Sequence, residues 1–188
     1  LCNLFVVVIS IVFNNEVSIE IVINKKKKVI EITDTGIGLS DSELAETLGT
    51  IAKSGTSAFL QELDGEESSK DAAKTLIGQF GVGFYASFMV ADRVVVESRK
   101  AGEEKACTWS TDGSGEYELE DSQLDAAGTR ITLHLKDVDI DGGIKDYTDE
   151  WELKNIVKRF SDFVSYPVRL TVNKKEEEEK EGEDEAAA

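Results

Sequence analysis

The chain has 188 residues, of which 40% are hydrophobic and 31% charged, so it can bury one domain's core and is not globally disordered. Its 38 acidic side chains against 21 basic ones give a formal charge of −17, which argues against non-specific binding to a nucleic-acid backbone or an anionic membrane. A nucleotide stays open as a ligand, because backbone N–H groups or a locally positive pocket can hold one.

Cys2 and Cys107 form no CxxC pair, so neither a disulfide framework nor a zinc site is indicated. The single histidine, His134, speaks against a histidine metal site or a Ser-His-Asp triad. A reducing, cytoplasmic compartment is the default.

The chain opens on Leu1 with an almost wholly apolar run to Phe13. That run is shorter than the roughly 20 residues of a membrane span. It also lacks the basic flank and small-residue cleavage site of a secretory signal. A buried strand, or sequence left by a truncated or mis-assembled gene, accounts for it. Residues 1–15 are therefore set apart from a domain expected over 16–173.

Glu16–Ile23 alternates, with Val17, Ile19, Ile21 and Ile23 on one face, which predicts a half-buried strand. Lys25–Lys28 is a solvated turn, and Val29–Thr33 completes a hairpin. Ser40 with Glu43 three residues on is a capping box, so a helix starts there and buries Leu44 and Leu48. Thr56–Leu63 is predicted helical, and Val82–Val90 is predicted to be a buried helix. Strands follow at Val94–Ser98, Ala106–Ser110, Glu116–Leu119 and Thr129–Leu135, with Asp112–Gly115 as a turn. Tyr147–Val164 is predicted as an amphipathic helix with Trp151, Ile156, Phe160 and Val164 on its stripe. Trp109 and Trp151 are expected as core anchors, and His134 as a surface residue. Tyr166–Val172 closes the domain as a strand with Pro167 at its start. Residues 174–188 hold eight acids and no large apolar residue, which predicts a flexible linker or tail.

Four short segments suggest chemistry. In Asp34-Thr35-Gly36-Ile37-Gly38-Leu39 an acid ends a strand and glycines alternate after it. Such a carboxylate can accept from an exocyclic amine, and glycine allows close approach; taken alone, the pattern more often marks a tight strand-to-helix turn. Gly78–Phe84 (GQFGVGF) is a glycine-rich loop entering a helix, without the Gly-Lys-Ser/Thr of a Walker A loop or the order of a dinucleotide fingerprint. It suits a phosphate or close helix packing. Gly49–Thr56 (GTIAKSGT) is small and polar, and Lys53 can reach an anion. Gly128-Thr129 opens a strand, where Thr129 serves a pocket or simply forms the strand.

Together and in this order, DTGIG, LGTIAKSGT, GQFGVGFYASF and GT resemble the N-terminal nucleotide-binding domain of the heat-shock protein 90 chaperones, with spacing most like the bacterial branch. The resemblance covers about Glu16 to Lys174. The wider group includes gyrase, histidine kinases and MutL. It implies an α+β, two-layer sandwich of the GHKL (Bergerat) type, with a mostly antiparallel sheet and helices on one face. It also implies that Asp34 accepts the adenine amine, Gly38 lies close to the base and Thr129 supports the same network through water. Leu39 and Phe84 line the adenine and sugar region, and Gly36 and Leu48 belong to the same site. Lys53 and the backbone of Gly81, Val82, Gly83 and Phe84 face the phosphates, under a lid from about Gly49 to Lys74. Leu39 replaces the methionine of eukaryotic members, a change of one apolar filler for another.

The implied cofactors are ATP or ADP with Mg²⁺, and the implied partners are client proteins and a second copy of the longer protein. No nucleic acid and no membrane are expected. The family's E-L-I-S-N-A-x-D-A helix, with its water-activating glutamate and Mg²⁺-binding asparagine, has no counterpart before Glu16, so a catalytically incomplete domain is expected; losing a general base costs roughly 10²–10⁴ in rate. The alternatives are a gyrase- or MutL-type ATPase, against which GTIAKSGT argues, and a fragment that binds no nucleotide.

Overall fold

The computed structural model describes residues 18–49, 83–160 and 167–172. In chain order the elements are β1 (Ile19–Asn24), β2 (Val29–Asp34), α1 (Asp41–Leu48), a 3₁₀ helix (Gly83–Met89), β3 (Ala91–Arg99), β4 (Ala106–Thr111), β5 (Glu118–Ser122), β6 (Gly128–Leu135), α2 (Glu150–Phe160) and β7 (Val168–Val172). The seven strands form one sheet in the order β5-β4-β3-β6-β2-β1-β7. Every pairing is antiparallel except β1 with β7. This is the α+β arrangement expected.

The alternation of β1 does what its period requires: Ile19, Ile21 and Ile23 are buried and Glu20 is exposed. The hairpin turns at Lys25–Lys28, where the Lys28 N–H donates to the Lys25 carbonyl at 3.2 Å and Lys28 takes a φ of 51°. The lysines stay in solvent, and Lys28 pairs with Asp137.

Strand register lays side chains across the sheet in rows. Leu119, Trp109, Val96, Ile131, Ile32, Ile21 and Leu170 stand in line across all seven strands. One row away lie Thr111, Val94, Leu133, Ile30, Ile23 and Val172. Leu44 and Leu48 of α1, Phe84 of the 3₁₀ helix and Leu153 of α2 join this side in a single core, so the helices share one face. The other face is polar: Arg130 bridges to Glu97 at 3.4 Å, and the Thr171 hydroxyl donates to Glu20 at 3.1 Å.

Three expectations need correction. Gly83–Met89 is a 3₁₀ helix and not a buried α-helix. Phe84, Ser87 and Val90 are buried at a spacing of three, the 3₁₀ period, while Met89 is 73% exposed. The Ser87 hydroxyl donates to the Phe84 carbonyl at 2.6 Å, which reinforces that tighter turn. Second, Trp151 is 71% exposed and Phe160 48% exposed. The inward stripe of α2 is Leu153 with Val157, and Trp151 lies about 200° around the helix from Leu153. Third, the first regular turn of α2 comes at Glu150 and not Tyr147, because the Asp149 side chain caps it by accepting the Glu152 N–H at 2.8 Å.

Trp109 is buried as expected, edge-on to Phe84 at 5.6 Å and stacked on Tyr117 at 5.8 Å. His134 is exposed, on a strand with neighbours on both sides. The segment 1–17, the helix expected over Thr56–Leu63, Val164 and the acidic segment lie outside the described residues.

Candidate functional site

The third row on the core face is different in kind. Cys107, Ser98, Thr129, Asp34, Ile19 and Val168 stand in register, so three neighbouring central strands place Ser98, Thr129 and Asp34 side by side. All three are buried, at 1%, 2% and 6% exposure. A polar row at the end of an apolar face needs internal partners or a polar ligand.

Asp34 ends β2. Its Oδ1 accepts the Gly36 N–H at 2.7 Å, which turns the chain out of the strand, and its carboxylate also accepts the Thr129 N–H. Burial pushes the Asp34 carboxyl up to about 7, and these two N–H groups only partly offset it. Two donors leave a carboxylate with further lone pairs, so it can still accept from a ligand. The Thr129 hydroxyl lies 2.9 Å from that of Ser98.

The turn after Asp34 is held by the end of β3. The Ala101 N–H donates to the Ile37 carbonyl at 2.7 Å, and the Leu39 N–H donates to the Ser98 hydroxyl at 2.8 Å. Gly38 has a φ of +64°, and a Cβ there would fall 2.0 Å from the Arg99 carbonyl oxygen. Glycine is required at Gly38 to let two backbones meet. Gly128 does the same from β6: with φ +139°, its Cβ would fall 2.3 Å from the Asp34 carbonyl oxygen. The capping box at Ser40 then starts α1, and Lys100 pairs with Glu43 at 2.5 Å.

Asp34, Gly36, Gly38, Leu39 and Thr129 therefore meet at one end of the sheet. Leu39 is half-buried against the core to which Leu48 and Phe84 belong. The Tyr85 hydroxyl donates to the Leu48 carbonyl at 3.1 Å, tying the end of α1 to the 3₁₀ helix. Gly83 opens that helix, whereas Lys53, Gly81 and Val82 lie outside the described residues. Sequence reasoning missed Ser98. Its signal was present as the third inward position in the alternation Val94, Val96, Ser98, where a small polar side chain interrupts an apolar face.

A family model for "Histidine kinase-, DNA gyrase B-, and HSP90-like ATPase" matches residues 13–139. The chain belongs to this ATPase family. A second model, "Hsp90 protein", matches residues 146–188. Among curated relatives, the chaperone protein HtpG of Mycobacterium leprae is 42% identical over 90% of this chain and 26% of its own length. HtpG of Wolinella succinogenes is 44% identical over 89% of the chain and 26% of its own length. HtpG of Streptomyces coelicolor is 47% identical over 83% of the chain and 24% of its own length. The chain thus spans about a quarter of the length of these relatives, to which it is similar.

Among the described residues no three His, Cys, Asp or Glu side chains are grouped to hold a metal ion, and no helix is long and apolar enough to cross a membrane.

Proposed function

We propose that the chain binds ATP and ADP as the nucleotide-sensing domain of a protein-folding chaperone. The observation that carries this reading is the buried Asp34 carboxylate, which keeps accepting capacity beside the Thr129 hydroxyl in a member of an ATPase family. The adenine amine would donate to Asp34, with Thr129 supporting it directly or through water. Gly36 and Gly38 would keep the turn close to the base, and Leu39, Leu48 and Phe84 would supply apolar walls. Lys53 and the backbone of Gly81, Val82, Gly83 and Phe84 would face the phosphates. Mg²⁺ would enter with those phosphates and neutralise their charge.

The family resemblance extends the proposal to the longer protein, in which lid closure couples nucleotide state to a homodimer clamp that acts on client proteins in the cytoplasm. The relatives' names favour this over a gyrase- or MutL-type ATPase. The present sequence contains no E-L-I-S-N-A-x-D-A motif, so the proposal is of binding, and hydrolysis is a separate measurement.

Calorimetric titration with ADP and Mg²⁺ tests it. Heat that saturates at one site and vanishes in Asp34→Asn is expected. A folded chain that gives no heat would overturn the proposal.

A further inference from the structure

Ser98 lies one strand beyond Thr129 from Asp34, and its hydroxyl has three polar neighbours. These are the Leu39 N–H at 2.8 Å, the Gly128 carbonyl at 3.1 Å and the Thr129 hydroxyl at 2.9 Å. A serine hydroxyl has one proton and two lone pairs. The Leu39 N–H takes one lone pair. The Gly128 carbonyl can only accept, so it takes the proton. The Thr129 hydroxyl is then left to donate into the second lone pair. The reverse arrangement, with Ser98 donating to Thr129, would set two oxygens 3.1 Å apart at Gly128 with no proton between them.

With its proton committed to Ser98, Thr129 shows only lone pairs to whatever enters beside Asp34. With Asp34 ionised, above the value of about 7 to which burial pushes its carboxyl, the two neighbours in the row form a pair of acceptors. A 6-amino purine offers two N–H groups to such a pair. A 6-oxo purine offers a carbonyl oxygen, which both acceptors repel. A site whose buried polar groups match one ligand rejects the mismatched one more strongly than an apolar pocket does.

The geometry points to Ser98 as a positioning residue that fixes Thr129 as an acceptor and holds Leu39 in the turn, and so helps to set the preference for a 6-amino over a 6-oxo purine. This inference rests on the nucleotide-binding reading above. The rest of the β3 end supports it, because Ser98, Lys100 and Ala101 each bond one residue of the stretch from Ile37 to Glu43, and the Arg99 carbonyl lies against Gly38. A change at Ser98 therefore acts on the turn without removing its other two bonds to β3 and the residues after it.

The test compares ADP with inosine diphosphate by calorimetry at a pH well above 7, where Asp34 is ionised, in the wild-type chain, Ser98→Ala and Ser98→Thr. Hydrogen exchange at the Leu39 N–H is read in the same three proteins without nucleotide. Ser98→Ala should weaken ADP about tenfold, as loss of a buried hydrogen-bonded position does. It should also narrow the ratio of ADP to inosine diphosphate affinity, since Thr129 is freed to donate, and speed Leu39 exchange. Ser98→Thr keeps the hydroxyl and should restore the ratio and the slow exchange.

An unchanged ratio in Ser98→Ala overturns the inference and leaves nucleotide binding standing. A folded Ser98→Thr with the same narrowed ratio as Ser98→Ala reduces Ser98 to packing and overturns it equally. A folded wild-type chain that takes neither nucleotide overturns the binding proposal, and this inference with it.

Discussion

The carbonyl oxygen of Arg99 stands where a side chain on Gly38 would begin. The 2.0 Å separation involves backbone on both sides, so no rotamer change relieves it, and the φ of +64° adds strain of its own. Gly38→Ala should therefore lower stability by roughly 3 kcal/mol or more. Gly102, with φ +87° and nothing within 4 Å of its Cβ position, separates the two effects. Gly102→Ala should cost only the left-handed backbone strain, roughly 1–2 kcal/mol. Urea unfolding of both variants measures the difference. Equal losses would mean that the turn can lift away from β3 at no cost.

Asp34 makes the fold sensitive to pH in a particular direction. Its carboxyl is raised from 3.8 to about 7, first by burial, against the pull of the Gly36 and Thr129 N–H groups. Below about pH 4 the folded and unfolded chains both keep this proton, and the neutral group's contribution is fully present. As pH rises toward about 7 the unfolded chain releases the proton while the folded one retains it, so this contribution is lost. The total is on the order of 4 kcal/mol. Asp34→Asn has nothing to ionise there. It should melt above wild type at about pH 8, with the gap closing near pH 4. Affinity for ADP should run the other way in the wild type, rising between about pH 6 and 8 as the carboxylate forms, and should show no such rise in Asp34→Asn. A gap in melting temperature that is the same at both pH values would show that Asp34 ionises normally in the fold.

Much of the sheet was legible because the inward positions of β1, β2, β3 and β6, apart from Asp34 and Ser98, carry β-branched residues or leucine, and alternation reports which face is buried. The capping box at Ser40 was legible because it is written within four consecutive residues. What single strands do not contain is their register. Asp34 and Thr129 were each noticed as the acid and the hydroxyl at a strand end. That they are neighbours follows only from the pairing of β2 with β6, and Ser98 joins them only through β3. The helix at 150–160 is legible, but its inward stripe is not, because large apolar residues stand on both sides of it: Leu153 and Val157 inward, Trp151 and Phe160 in solvent. The 3₁₀ helix escaped because Phe84, Ser87 and Val90 include a serine, which hides the spacing of three.

Glu43 joins the start of α1 to β3 and gives a second, oppositely signed pH effect. Its carboxylate accepts the Ser40 N–H at 2.8 Å and the Lys100 ammonium at 2.5 Å. Burial raises its pKa, but Lys100 and Ser40 more than reverse that, leaving it below the ordinary 4.5. Such a carboxylate contributes stability above its unfolded pKa and loses it as pH falls through the folded one. Glu43→Gln should cost roughly 0.5–1 kcal/mol near pH 7, a value kept small because Lys100 and Glu43 are partly solvated. The difference should shrink as pH falls below the ordinary 4.5 and the folded carboxylate takes up its proton. Denaturation across that acid range and at about pH 7 checks it, and a cost that stays constant into acid would assign the effect to packing.

The two tryptophans sit in opposite environments, and their fluorescence should say so. Trp109 is 2% exposed between Phe84 and Tyr117, while Trp151 is 71% exposed on the outer side of α2. Trp151→Phe should remove the red-shifted component that acrylamide quenches readily. Trp109→Phe should remove the blue-shifted, protected one. Stability should divide the same way. Trp109→Ala opens a cavity beneath α1 and the 3₁₀ helix and should cost roughly 3–5 kcal/mol. Trp151→Ala removes a surface side chain and should stay within about 0.5 kcal/mol. A protected Trp151, or a costly Trp151→Ala, would mean that this side of α2 is covered in solution, by another part of the chain or by a second copy of it.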